Sequence, residues 1–245
     1  MSTAPDGTKV AAKPKSAEMH AGPGFRLRME IGRPDPELVA GFAEFDTPAI
    51  SDLLNRLFTM SRHIGLMTRP AVRLVGPACT VKVFPGDNLM VHKSIDVAQP
   101  GDVVVVDTSE SALTAVLGGL ISTKARYRGI AGFVVDGLIR DLSEINELQD
   151  FPVFARGVTP IGPLHRGPGE INHPVSAGGI VVHPGDIIVG DENGVVVIPQ
   201  ETAAELLERL RKNRAAEAGY RASVARGEFS LAWVDDLLAD AGVTK

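Results

Sequence analysis

Unbroken apolar runs alternate with helical patterns through the middle of the chain. Residues 103–106 are four consecutive valines, and residues 130–135 form a second run without a polar side chain. Such runs are typical of parallel strands that are covered on both faces of a sheet. Residues 118–128 lie between them, begin with a glycine pair and are predicted to form a helix. This order of strand, helix and strand predicts an α/β core with a mixed sheet.

Further helices and strands are predicted on both sides of this core. The expected helices span residues 34–45, 88–98, 141–148, 201–226 and 231–241, with another beginning at Thr47-Pro48, and the expected strands span residues 72–84, 153–156, 178–182, 186–189 and 195–198. Residues 109–117 are expected to form a loop or a short helix. Residues 159–173 are rich in proline and glycine, which predicts a long loop.

The same pattern predicts one main domain, because no linker interrupts residues 35–200. Its expected limits are residues 26–200, followed by a helical C-terminal extension at residues 201–245. Residues 1–25 are small, polar and rich in proline and glycine, which predicts a flexible N-terminal tail.

Composition and charge narrow the classes of function. The 245 residues are 44% hydrophobic and 22% charged, as is ordinary for a globular protein with a core. A net charge of −5 gives no electrostatic footprint for nucleic acid. The single cysteine, Cys79, excludes an intrachain disulfide and a cysteine-built metal site. No apolar run approaches the roughly 20 residues that span a bilayer, and no signal-peptide core is present, so we expect a cytoplasmic protein without a membrane partner.

Arg140 and Asp141 place a fixed cation beside a hard oxygen ligand at the exit of the second apolar run. Parallel α/β sheets place their sites at this end of their strands. A structural interpretation stays open, because Asp141 and Glu144 have the spacing of a capping box at the start of a helix. In that case Arg140 would be a solvated neighbour.

The glycine pair Gly118-Gly119 also allows two interpretations. It can leave free N–H groups at a helix N-terminus, which bind anions, or it can allow close packing of a helix against a strand. No glycine-rich nucleotide fingerprint is present. The six histidines show no zinc-site spacing, so zinc is not expected.

Three polar side chains outside the central stretch are also candidates. Asn88 and His92 are four positions apart, so they share one face of a predicted helix. A structural role is the plainer interpretation for a lone histidine on a helix. Glu217 lies among other charges on the long helix, where a solvated surface residue is the plainer interpretation.

Several motifs along the chain, taken together, resemble one known family. They are D-T-P-A-I-S-D from Asp46, P-G-D-N-L-M-V-H-K, Q-P-G-D-V-V-V-V-D, the central G-G-L-I-S-T-K-A-R-Y-R-G-I-A-G-F-V-V-D-G-L-I-R-D, G-D-E-N-G-V-V-V-I-P and the C-terminal R-G-E. The family contains the class II 4-hydroxy-4-methyl-2-oxoglutarate aldolases and the regulator of ribonuclease activity A, and the likeness spans residues 37–229. It implies a compact α/β/β sandwich of the swivelling type. It also implies a homotrimer or homohexamer with sites between subunits, to whose contacts the C-terminal extension contributes.

The resemblance implies roles for the residues of the central stretch. Asp141 would be the direct ligand of Mg²⁺ or Mn²⁺, and Arg140 would stabilise the enolate oxygen of pyruvate. Backbone N–H groups near Leu120 and Ile121, just after the glycine pair Gly118-Gly119, would hold the pyruvate carboxylate. Asn88 and His92 match polar site positions, and Glu217 resembles the glutamate that reaches the metal's water shell from a neighbouring subunit.

Two positions depart from the aldolase pattern. The aldolases resemble G-D-L where this chain has Gly118-Gly119-Leu120, so the carboxylate that supports acid/base chemistry is missing at residue 119. His165 stands where the aldolases carry a lysine. Both departures concern proton transfer more than binding, and we expect that an aspartate at residue 119 would raise aldolase activity.

The resemblance therefore predicts a divalent-metal-dependent aldolase that acts on a small 2-keto acid. It would cleave 4-hydroxy-2-oxo acids to pyruvate through a metal-stabilised enolate, and decarboxylate oxaloacetate through the same enolate. Two alternatives stay open: a non-catalytic binding protein of the ribonuclease-regulator type, and a lyase of the same scaffold that acts on another keto or sugar acid.

Overall fold

The computed structural model describes residues 2–3, 9–10 and 24–243, so most of the predicted tail at residues 1–25 lies outside it. The strands are β1 (Ser2–Thr3), β2 (Lys9–Val10), β3 (Phe25–Leu27), β4 (Gly65–Leu66), β5 (Leu74–Val83), β6 (Val103–Asp107), β7 (Ala115–Leu117), β8 (Gly132–Ile139), β9 (Val153–Val158), β10 (Gly169–Ile171), β11 (Val175–Ala177), β12 (Ile180–Val182), β13 (Ile187–Asp191) and β14 (Gly194–Ile198). The helices are α1 (Pro36–Gly41), α2 (Thr47–Leu53), α3 (Leu89–Val97), α4 (Gly119–Tyr127), α5 (Leu142–Asn146), α6 (Ala203–Ala225) and α7 (Ala232–Asp240). Among these helices none has both the length and the apolar composition needed to cross a membrane.

A mixed sheet in the order β14-β13-β5-β6-β8-β9-β4 forms the centre of the fold. Strands β5, β6, β8 and β9 are parallel, whereas β13, β14 and β4 join antiparallel. Every residue of the valine run in β6 is fully buried, as the uninterrupted apolar pattern predicted. The segment 109–117 differs from the expected loop or short helix, because Ala115–Leu117 pairs with β8 as the parallel strand β7. That pairing depends on a distant partner strand, so no local pattern revealed it.

The two faces of the sheet are covered by different layers. Helices α3, α4 and α5 cover one face, whose buried residues include Val104, Val106, Phe133 and Val135. The β11–β12 hairpin covers the other face, where Val175, Ala177 and Val182 pack on Val103, Val105, Val134 and Phe154. A third apolar cluster joins α1, α2 and the first turns of α6 to β13 and β14. These layers confirm the predicted α/β/β sandwich with its long C-terminal helical extension, while the domain limits at residues 26 and 200 stay a prediction.

A row of four charges crosses the parallel strands on the hairpin face. Lys82, Asp107 and Asp136 lie at matching register on β5, β6 and β8, and Arg156 on β9 pairs with Asp136. The Lys82 ammonium lies 2.6 Å from Asp107 Oδ2, and the two carboxylates also accept hydrogen bonds from backbone N–H groups of the hairpin segment. Each buried carboxylate thus has a cation beside it and a backbone donor from the hairpin segment, and the row fixes the hairpin on the sheet.

Replacing Arg156 with methionine should destabilise the protein by about 3–5 kcal/mol, because the buried Asp136 carboxylate then faces Asp107 without its cation. Chemical denaturation measures this change in the free energy of unfolding. The matched control is Arg126→Met, which removes an exposed pair with Asp150 and should leave the free energy of unfolding nearly unchanged. Equal losses in the two variants would contradict a stabilising role for the row.

Candidate active site

One cavity of about 260 Å³ brings together most of the residues that the sequence predicts for the site. It lies where β8 ends, between the N-termini of α3 and α4 and the loop that follows β9. Its walls consist of Asn88, His92, Leu117, Gly118, Leu120, Ile121, Arg140, Asp141, Gly162, Pro163 and His165. Residues that are far apart in the chain therefore meet at the carboxyl end of the parallel strands, where α/β folds bind their ligands.

Asp141 has an uncommon backbone conformation at the N-cap position of α5. Its φ and ψ of 55° and 41° lie in the left-handed region, and its side chain makes no capping bond to the helix. Instead Asp141 Oδ2 accepts a hydrogen bond from Gly119 N at 3.3 Å and lies 3.3 Å from Arg140 Nε. The capping-box interpretation is therefore wrong, because the carboxylate turns toward the glycine pair and the cavity. Backbone strain of this kind is concentrated at functional sites.

The glycine pair packs directly against this carboxylate. A Cβ added at Gly118 would lie 2.3 Å from Asp141 Oδ2 and 2.9 Å from Arg140 Cγ, so only glycine fits there. The first hydrogen bond of α4 runs from Ser122 N to the carbonyl of Gly118 at 3.1 Å. The N–H groups of Leu120 and Ile121 consequently have no acceptor within the helix. The pair therefore allows the close packing and opens a helix N-terminus into the cavity, while the binding of an anion there stays a prediction.

The carboxylate of Glu144 occupies the space beside Gly119. A Cβ added at Gly119 would lie 2.0 Å from Glu144 Oε2 and 2.8 Å from Glu144 Cβ. Sequence reasoning missed this residue as a site component, because its spacing from Asp141 was assigned to a capping box. The structure also revises the expectation for an aspartate at residue 119, since that side chain alone would collide with Glu144.

Asn88 links the two histidines of the cavity to the sheet. Its side chain is only 3% exposed. Its Nδ2 donates to the Val116 carbonyl at 2.9 Å, and its Oδ1 lies 2.6 Å from His165 Nδ1. The rings of His165 and His92 meet edge to face with centroids 5.5 Å apart. Burial lowers the pKa of His92, and the charges of His165 and Lys124 act in the same direction, which favours the neutral imidazole.

Two predicted site residues do not line this cavity: Gly119, which lies beside it against Glu144, and Glu217, which lies elsewhere. Glu217 lies on α6, where its carboxylate pairs with Arg221 at 3.0 Å. It lines a separate groove of about 420 Å³, together with side chains of α2 such as Pro48 and Leu53. The expectation that Glu217 reaches a site in a neighbouring subunit stays a prediction.

Comparison with known proteins identifies the family. Residues 47–197 match the profile described as RraA-like: Aldolase/RraA. A Halalkalibacterium halodurans protein named "Putative 4-hydroxy-4-methyl-2-oxoglutarate aldolase" is 39% identical over 195 residues, which is 80% of this chain and 92% of that protein.

Solved structures agree with this match. Streptomyces coelicolor RraAS2, described as an unusual member of the RNase ES inhibitor RraA protein family, superposes with a TM-score of 0.71 and 30% identity over 78% of this chain and 99% of its own. The RNA-processing inhibitor RraA from Thermus thermophilis superposes with a TM-score of 0.58 and 32% identity over 63% of this chain and 93% of its own. The chain thus belongs to the RraA-like family of aldolase and RraA proteins, as its motifs predicted.

Proposed function

We propose that this protein is a divalent-metal-dependent lyase that cleaves 4-hydroxy-2-oxo acids to pyruvate through an enolate, and that it decarboxylates oxaloacetate through the same enolate. The observation that carries the proposal is the convergence of Arg140, Asp141 and the first turn of α4 in one cavity. The relative from Halalkalibacterium halodurans, whose name is that of an aldolase, supports the same reaction class.

The first turn of α4 suits the carboxylate of a 2-keto acid. The N–H groups of Leu120 and Ile121 lie outside the hydrogen-bond ladder of the helix, and both residues line the cavity. A helix N-terminus also carries a partial positive charge that attracts anions. These groups would fix the carboxylate end of the substrate, so that its keto oxygen points toward Arg140 and Asp141.

The carboxylates at the glycine pair fit a hard divalent cation. Among the described residues no group of three histidine, cysteine, aspartate or glutamate side chains could enclose a metal. Mg²⁺ does not need such a cage, because it keeps several waters and is typically held by one or two carboxylates together with substrate oxygens. Asp141 would be the direct ligand, with Glu144 beside it and Glu217 of a neighbouring subunit near its waters. Bound there, Mg²⁺ or Mn²⁺ would supply Lewis-acid chemistry at the keto oxygen.

Arg140 places a permanent positive charge where the enolate oxygen develops. Its side chain is 44% exposed and lies against Asp141, and a Cβ at Gly162 would come within 2.8 Å of its Nη1. Gly162 therefore leaves room for the guanidinium at the cavity wall. A fixed charge that meets developing negative charge lowers the transition state more than the ground state.

Glu144 supplies the negative charge that Gly119 lacks. Its carboxylate lies beside the N-terminus of α4, in the space that a side chain at residue 119 would occupy. We assign it the task of holding the hydrated cation next to Asp141. The departure at Gly119 then relocates a carboxylate from α4 to α5 instead of removing it.

A second candidate is a non-catalytic regulator that docks on a partner protein. Two solved relatives favour it, one described as a member of the RNase ES inhibitor RraA family and one as an RNA-processing inhibitor. The cavity that joins Arg140 and Asp141 to an open helix N-terminus favours the lyase, because a docking function does not need it. The width of the cavity would equally admit another keto or sugar acid on the same scaffold. The lyase would work as a homotrimer or homohexamer in which Glu217 completes the site of a neighbour.

Pyruvate release tests these alternatives directly. Purified protein is given oxaloacetate and a panel of 4-hydroxy-2-oxo acids, with Mg²⁺, with Mn²⁺ and with EDTA, and pyruvate is detected by coupled reduction to lactate. The lyase should release pyruvate only with metal, and excess Mg²⁺ should restore activity after EDTA. No release from any substrate would favour the regulator, and release that EDTA leaves unchanged would contradict the metal assignment.

A further inference from the structure

The hydrogen bonds around Asn88 determine which nitrogen of His165 carries a proton. The Val116 carbonyl can only accept, so the group of Asn88 that faces it at 2.9 Å must be the amide nitrogen. The amide oxygen of Asn88 then faces His165 Nδ1 at 2.6 Å. Because an amide oxygen cannot donate, His165 Nδ1 must carry the hydrogen. A neutral His165 therefore presents an unprotonated Nε2.

Burial and backbone hydrogen bonds hold each of the three residues, Val116, Asn88 and His165, in place. Val116 is fully buried in β7, and Asn88 is buried at the start of α3. The loop that carries His165 is attached on both sides of the ring. Leu164 donates its N–H to the carbonyl of Gly86 at 2.8 Å and accepts the N–H of Asn88 at 3.0 Å, and Arg166 N donates to Asp87 Oδ2. The side chain of His165 thus has a fixed tautomer and a fixed position.

His165 Nδ1 is engaged by Asn88, so Nε2 is the ring nitrogen that can contact a ligand in the cavity. His165 lines the cavity that also contains Arg140 and Asp141. The charged and titratable side chains around His165 are His92 on α3 and, in the same cavity, Arg140 and Asp141 at the end of β8, while Lys124 on α4 acts on His92. Asp141, the carboxylate among them, lies 3.3 Å from Arg140 Nε and accepts a hydrogen bond from Gly119 N.

We propose that His165 is a catalytic residue that accepts the C4 hydroxyl proton during cleavage and returns it to C3, with Asn88 as its positioning residue. This inference rests on the proposed lyase function. His165 Nε2 takes the proton of the C4 hydroxyl as the C3–C4 bond breaks. The C4 oxygen becomes a carbonyl, and the bond's electron pair becomes the enolate of pyruvate. The same proton then passes from His165 to C3, which gives pyruvate and returns the neutral imidazole.

The two reactions of the proposed function differ in their need for a base. Comparing their rates therefore distinguishes proton transfer by His165 from substrate binding. Cleavage of a hydroxy acid needs a base before the bond can break, whereas oxaloacetate loses CO₂ without giving up a hydroxyl proton. A base should matter greatly for the first reaction and little for the second. His165→Asn is the sharpest change, because the asparagine amide can still donate to Asn88 Oδ1 while Nε2 is lost.

The experiment measures kcat/KM of wild type and His165→Asn for both substrates with Mg²⁺. We expect cleavage to fall at least about 100-fold and decarboxylation to stay within about threefold, as for the loss of a general base. The acid limb of the pH profile for cleavage should disappear in the variant. Asn88→Ala should lower kcat/KM for cleavage by a smaller factor than His165→Asn does, and it should shift the acid limb of the pH profile. His63→Asn, an exposed histidine outside the cavity, is the matched control and should change neither reaction.

Three results would overturn the inference. Undiminished cleavage in His165→Asn would do so, and an equal loss of both reactions would make His165 a binding or structural residue. A wild-type protein that decarboxylates oxaloacetate but cleaves no hydroxy acid would overturn it while leaving the enolate chemistry intact. Failure of the proposed function itself looks different, because wild type would then release no pyruvate from either substrate.

Discussion

Replacing Asp141 with asparagine should lower metal-dependent pyruvate release roughly 10³-fold, because several kcal/mol of charge stabilisation at the keto oxygen depend on the cation. The amide has nearly the same shape as the carboxylate but no negative charge to hold the metal. The side chain of Asp141 is partly exposed and makes no capping bond to α5, so the loss of its carboxylate should leave the fold unchanged. The measurement is kcat/KM for oxaloacetate over a range of Mg²⁺ concentrations.

Asp150→Asn is the matched control for that change. Asp150 is an exposed aspartate whose pairing with Arg126 lies outside the cavity, and its pKa is lowered by that guanidinium. Its replacement should leave turnover near the wild-type value. If Asp141→Asn turns over close to the wild-type rate with an unchanged melting temperature, Asp141 is not the metal ligand and the assignment is contradicted.

Moving the carboxylate from residue 144 to residue 119 should show that the two positions supply one and the same negative charge. Gly119→Asp alone should lower kcat/KM because its side chain collides with Glu144, and Glu144→Ala alone should lower it because the charge is lost. The double variant should recover most of the activity, since it moves the carboxylate back to α4. About tenfold losses in the single variants with a near-normal double variant correspond to a coupling of about 2–3 kcal/mol.

Gly32→Asp is the control for adding an aspartate without a collision. Gly32 lies outside the cavity, and an added Cβ there meets nothing within 4 Å, so the change should be neutral for activity. If the double variant instead lost activity by the product of the two single losses, residues 119 and 144 would act independently. Glu144 would then not replace the carboxylate that Gly119 lacks.

The central sheet could be predicted from the sequence because its signal is local. The valine run of β6 and the apolar run of β8 are covered on both faces, so every position had to be apolar. The strand β7 was missed, since Ala115–Leu117 is too short to show a period and becomes a strand only by pairing with β8. Elements that depend on a distant partner leave little trace in the local pattern.

The same distinction applies to the candidate site. Arg140 and Asp141 were predictable because they follow a buried parallel strand, where such folds place their ligands. The roles proposed for Glu144 and His165 depend on contacts between segments that are distant in sequence, namely α5 with the start of α4 and the loop after β9 with Asn88. The spacing of Asp141 and Glu144 was visible but fitted a helix cap equally well, and only the orientation of the Asp141 side chain distinguishes the two.

Enolate formation is the central claim, and exchange of the methyl protons of pyruvate with deuterated water tests it most directly. The measurement follows the loss of the methyl proton signal by NMR and does not require the natural substrate to be known. Wild-type protein with Mg²⁺ should catalyse exchange, while EDTA or Asp141→Asn should stop it. A folded wild-type protein that exchanges no faster than buffer with Mg²⁺ alone would contradict the claim.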